Sequence, residues 1–64
     1  MIRIVGRKRE TFPITGQATI GAVVKELKLQ ESSYITLKNG LPVTSDEPVS
    51  VNDEIIFMEV FSGG

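Results

Sequence analysis

Apolar residues recur along this chain in two periods, and the switches between them mark out its elements. Ile2 and Ile4, flanked by Met1, Arg3 and Val5, alternate and predict a first strand that Gly6 ends. Arg7-Lys8-Arg9-Glu10 reads as a hairpin loop, its charges in water. Thr11-Phe12-Pro13-Ile14 reads as a second strand. Pro13 has no amide hydrogen, which puts that strand at a sheet edge or makes it irregular. After a connection over 15–18, Ile20, Val23, Val24 and Leu27 fall at i, i+3, i+4 and i+7, with Lys25, Glu26 and Lys28 on the other side. That spacing predicts a helix over 19–29, with Thr19 as its N-cap. Gly21 costs the first turn about 1 kcal/mol relative to alanine, so so short a helix needs a sheet to dock on.

Glu31-Ser32-Ser33 breaks the helical pattern, and Tyr34-Ile35-Thr36-Leu37-Lys38 is a strand by alternation and residue type. Asn39-Gly40 then predicts a tight hairpin, because both turn residues need positive φ. Leu41-Pro42-Val43 is its second arm, short or at an edge because of Pro42. Residues 44–48 form a polar loop, and Val49 to Asp53 lead into a last strand over 54–61. The order is hairpin, helix, hairpin-like pair, final strand. A mixed four- to five-stranded sheet packed on one helix buries both apolar surfaces. The crossover through the helix brings the first and last strands together in the middle. The expected fold is an α+β roll of the β-grasp type, with residues 1–61 as one domain and 62–64 as a flexible tail.

Composition narrows the chemistry. Sixty-four residues bury only about 60% of their unfolded surface, which leaves a thin core and little room for a deep cleft. Cysteine and histidine are both absent. No disulfide staples the fold, and the side chains favoured for acid–base catalysis and for zinc or iron–sulfur sites are missing. No metal site is expected. The net charge of -1 gives no electrostatic reason to expect a nucleic-acid partner. No apolar run reaches membrane-spanning length, and the alternating first residues do not form a secretory signal block. The expectation is a soluble cytoplasmic protein with no membrane partner. Asp53 and Glu54 are adjacent carboxylates, but neighbours in a strand point to opposite faces, so turn duty is expected of them rather than paired catalysis.

The remaining candidate chemistry lies at Gly63-Gly64, just beyond a strand-forming run. A glycine pair visits backbone angles closed to other residues and can thread a narrow cleft, carrying the Gly64 carboxylate to another protein's catalytic groups. The plain alternative is a frayed end. If Ile55 and Phe57 face the helix, Ile56 and Met58 face the other way. With Val60 they are a candidate partner-binding surface beside the tail, the alternative being ordinary exposed strand residues. Phe61 is a candidate anchor at the mouth of a partner's channel.

Leu37-Lys38-Asn39-Gly40-Leu41-Pro42-Val43, the later Val49 to Ile55, and Phe57 to Gly64 together resemble the ubiquitin-like sulfur carriers. That family includes the thiamine-pathway carrier (ThiS) and the small subunit of molybdopterin synthase (MoaD). The resemblance spans the chain in element order. Its short length and proline-free final segment look most like the thiamine carrier, whereas Asn52 stands where members often carry glycine. The resemblance implies a co-substrate rather than an enzyme, with no cofactor bound intrinsically. An E1-like (ThiF/MoeB-type) activating enzyme would use ATP and magnesium to adenylate Gly64, while Gly63, Ser62 and Phe61 thread into it. A persulfide sulfur donor would then convert Gly64 to a thiocarboxylate, the sulfur passing to thiazole synthase in thiamine biosynthesis. The other readings are the molybdopterin synthase small subunit, acting with its large subunit; a ubiquitin-like modifier joined to lysines through Gly64; and a passive interaction module.

Overall fold

The alternation of Ile2 and Ile4, and of Ile55 and Phe57, becomes the floor of the core. A computed structural model describes residues 1–60, and in it these four side chains are buried with Ile20 and Val23. The elements are β1 (Ile2–Val5), β2 (Glu10–Phe12), α1 (Ile20–Glu26), a short 3-10 turn (Glu31–Ser33), β3 (Tyr34–Lys38), β4 (Leu41–Pro42) and β5 (Ile55–Glu59). The sheet order is β2-β1-β5-β3-β4. β1 and β5 run parallel at the centre, with Ile2 opposite Ile55 and Val5 opposite Met58, and every other neighbouring pair is antiparallel. This is the expected ubiquitin-like β-grasp α+β fold, with five strands. Tyr34 meets Phe57 edge to face, ring centroids 6.4 Å apart.

Both hairpin proline expectations hold: β2 and β4 are the edge strands. β2 is shifted from the expected 11–14, because it begins at Glu10 and stops before Pro13, which has no amide hydrogen to donate. Asn39 (φ 51°) and Gly40 (φ 85°) make the predicted left-handed turn.

The helix is shorter than the expected 19–29. Lys28 takes a left-handed φ of 56° just past the Leu27 C-cap. Its amide donates to the Lys25 carbonyl (3.2 Å) and that of Leu29 to the Val24 carbonyl (3.0 Å). That is a Schellman ending, which closes the helix yet still packs Leu27 and Leu29 against the core. At the other end Thr19 caps as expected, its hydroxyl accepting from the Ala22 amide at 3.2 Å. The polar loop over 44–48 completes the cap: the Glu47 carbonyl accepts from Ile20 (2.9 Å) and the Ser45 carbonyl from Gly21 (2.8 Å). A β-carbon on Gly21 would stand 3.2 Å from that same Ser45 oxygen, which explains a glycine in the first turn.

Candidate functional site

The site foreseen at the tail begins at the C-terminal end of β5, the central strand. Gly64, Gly63, Ser62 and Phe61 lie outside the described residues. Of the candidate surface residues, Ile56 is half-buried, Met58 is 42% exposed and Val60 is 46% exposed. Because Ile55 and Phe57 are fully buried, Ile56 and Met58 project from the opposite face of the sheet. The Val60 amide, one residue past the strand, donates to the Ser33 carbonyl at 2.8 Å, so the chain is held in line as far as Val60.

Register extends this surface beyond the residues foreseen. Met58 pairs with Ile35 on one side and Val5 on the other, and Ile56 pairs with Leu37 and Arg3. Ile35 is 49% exposed. The open face thus carries an apolar patch of Val5, Ile35, Leu37, Ile56 and Met58, bounded by Arg3. Alternation within β3 already separates Ile35 and Leu37 from Tyr34, Thr36 and Lys38. What alternation lacked was the pairing partner, which only the sheet order supplies.

The other end of the sheet is a polar clamp. Lys38 Nζ bonds to Glu47 Oε2 (3.0 Å) and to the Pro48 carbonyl (2.9 Å), with Asp53 Oδ2 at 3.9 Å. Asp53 accepts from the Ser50 amide (2.7 Å) and from Asn39 Nδ2 (3.0 Å). The Ser50 amide bond, then that from Asn39, holds the Asp53 carboxyl below its ordinary range, helped by Lys38 and the terminal ammonium. This is the turn duty foreseen for Asp53. The turn closes with the Asp53 amide on the Ser50 carbonyl at 3.0 Å, and Asn52 takes no positive φ. A hydroxyl bond from Thr44 likewise lowers the Asp46 carboxyl. Glu47 is anchored by Lys38, and Glu59 by the Arg7 amide at 3.0 Å.

Among the described residues no group of three or more potential ligands is placed to hold a metal, and no helix is long and apolar enough to cross a membrane. What the described part offers is an apolar face and a central strand held by hydrogen bonds as far as Val60. Comparison with known proteins agrees with the fold. The family model described as small archaeal modifier protein 2 matches residues 1–61. No curated protein matches the chain.

Proposed function

Because this chain belongs to the small archaeal modifier protein 2 family, we propose that it is a ubiquitin-like modifier whose reactive group is the Gly64 carboxylate. An activating enzyme of the E1 type supplies the catalysis, and this chain is its co-substrate. A carboxylate oxygen attacks the α-phosphorus of magnesium-bound ATP, and pyrophosphate leaves. The resulting acyl-adenylate has a good leaving group where the free carboxylate had none. A lysine amine of a target protein then attacks the carbonyl carbon, AMP leaves, the amine loses a proton, and an isopeptide bond remains. The family match carries this reading.

A second reading shares the adenylate. The sulfur-carrier resemblance of residues 37–43, 49–55 and 57–64 favours it. The terminal sulfur of an enzyme persulfide displaces AMP, giving an acyl disulfide. A thiol of the enzyme then cleaves the S–S bond, forming an enzyme disulfide and releasing a Gly64 thiocarboxylate. Thiazole formation in thiamine biosynthesis is the proposed destination of that sulfur, with molybdopterin synthesis the alternative.

In both readings Gly63, Ser62 and Phe61 lie in the partner's channel, and Ile56, Met58 and Val60 rest on its surface. Mass spectrometry of protein from the native host separates the two readings. No Lys or Arg follows Lys38, so trypsin would leave 39–64 on a target lysine. Target lysines bearing residues 39–64 are expected for a modifier, and replacement of one terminal oxygen by sulfur for a carrier. Neither product under sulfur-replete growth overturns both.

A further inference from the structure

Ile55, Phe57 and Glu59 fall on one side of β5 by alternation, yet the first two are buried and apolar and the third is a half-buried carboxylate. Its side chain takes over where the strand pairing stops. The last pair between β1 and β5 is Val5 with Met58. One residue further, Glu59 Oε1 accepts from the Arg7 amide at 3.0 Å, so a side chain carries the link to β1 past that pair. Gly6 permits the approach, because a β-carbon there would collide with the Glu59 side chain.

On the opposite flank Tyr34 pairs with Glu59, and the Val60 amide donates to the Ser33 carbonyl at 2.8 Å. That carbonyl belongs to the 3-10 turn before β3. The end of β5 is thus bracketed by two loops, one after β1 and one before β3. The bond to Arg7 is exposed, and the buried core reaches only as far along β5 as Phe57. Such a bond governs local opening of the strand end more than global stability.

We propose that Glu59 is a positioning residue for the tail: by tying the end of β5 to the loop after β1, it fixes the direction from which the Gly64 carboxylate is presented. The proposal rests on the tail chemistry above for the reaction it serves. Four residues, 61–64, carry the chain from Val60 to that carboxylate. Drawn out in a partner's channel they reach about 13 Å, so a tilt of about 5° at the strand end displaces the carboxylate by about 1 Å. Displacement on that scale is costly to a reaction that depends on alignment. Glu59 and the Met58–Ile35 patch lie on opposite faces of the sheet, so docking and presentation are served by different residues.

The test compares full-length wild type with Glu59→Ala, which deletes the acceptor, and Glu59→Gln, which keeps an acceptor oxygen. Amide exchange is measured on the free chain, as the rate at Val60 relative to that at Ile55, whose amide donates to the Met1 carbonyl at the far end of the same strand. In Glu59→Ala this ratio is expected to rise about tenfold, a change that global unfolding does not imitate because it exposes both amides. With the native host's E1-type enzyme, ATP and magnesium, kcat for pyrophosphate release is expected to fall about tenfold with KM within about twofold. A partly unfolded substrate would instead raise the apparent KM. Glu59→Gln is expected to restore both readouts to near wild type. An unchanged exchange ratio in Glu59→Ala overturns the proposal, as does a raised ratio with an unchanged kcat, or a Gln variant as impaired as Ala. A raised ratio without pyrophosphate release even from wild type upholds the bracket at the strand end and refutes the tail chemistry instead.

Discussion

Gly6 lies so close to Glu59 that a β-carbon built on it would stand 2.6 Å from the Glu59 Cβ. The two residues follow the Val5–Met58 pair, and the approach lets the Arg7 amide reach the Glu59 carboxylate. Gly6→Ala should therefore destabilise the fold by about 1–3 kcal/mol, the usual cost of overpacking. Urea unfolding measures it. Glu59→Ala should not rescue the variant, because the offending Cβ remains, whereas Glu59→Gly should.

Lys28 ends the helix in a conformation that favours glycine. An L-residue there costs roughly 1–2 kcal/mol, partly offset by the greater unfolded-state freedom of glycine. Lys28→Gly should stabilise the protein by about 0.5–1 kcal/mol. A rise in the urea midpoint with an unchanged slope is the expected signature, and a fall would show that Lys28 makes a compensating contact.

Asp53 predicts an acid response. Hydrogen bonds from Ser50 and Asn39 hold its carboxyl below the ordinary 3.8 in the folded chain. The unfolded chain therefore binds the proton more readily, and stability rises with pH through that window. The contribution is complete above the ordinary value and is lost as pH falls through the folded one. Melting temperature should thus drop between about pH 5 and pH 2. In Asp53→Asn the drop should be smaller, from a lower starting value at neutral pH, because an amide oxygen replaces two acceptor oxygens. Parallel curves for the two proteins would exclude Asp53 as a source of the acid response.

The roles proposed for the tail and the open sheet face are separable by substitution. Gly64→Ala misplaces the reacting carboxylate, and a displacement of about 1 Å can cost on the order of 100-fold in rate. Ile35→Glu places a charge beside Met58 on the exposed patch. It should raise the KM for this chain in the adenylation assay while changing fold stability by less than about 1 kcal/mol. Gly64→Ala should instead lower kcat with little change in melting temperature. Full activity in both variants would remove the tail and the patch from the function together.

The elements that alternation or a turn dipeptide specifies were legible in the sequence. Ile2 and Ile4, Ile55 and Phe57, the Asn39-Gly40 turn and the Thr19 cap all stand where they were expected. The helix end was not legible, because Leu27 continues the apolar period and nothing marks Lys28 as the residue that turns left-handed. Nor was the docking of 44–48 on the helix: the acceptors from Ser45 and Glu47 are backbone carbonyls, which any sequence carries. Gly21 read as a weak point because its reason lies in a segment distant along the chain. At the candidate site, one strand's alternation identified Ile56 and Met58, but the place of Val5 and Ile35 beside them depends on which strands become neighbours.

The central position of β5 also governs when the protein exists as a folded body. Without residues 55–59 the sheet divides into two separate hairpins, β1–β2 and β3–β4, and an isolated two-stranded hairpin is marginal in water. The pairs that join the halves, such as Ile2 with Ile55, span nearly the whole sequence, and contacts so remote form late. During synthesis the head cannot close until the strand that bears the tail has left the ribosome. Truncated or stalled chains that lack β5 therefore present neither the apolar patch nor the strand end beyond it.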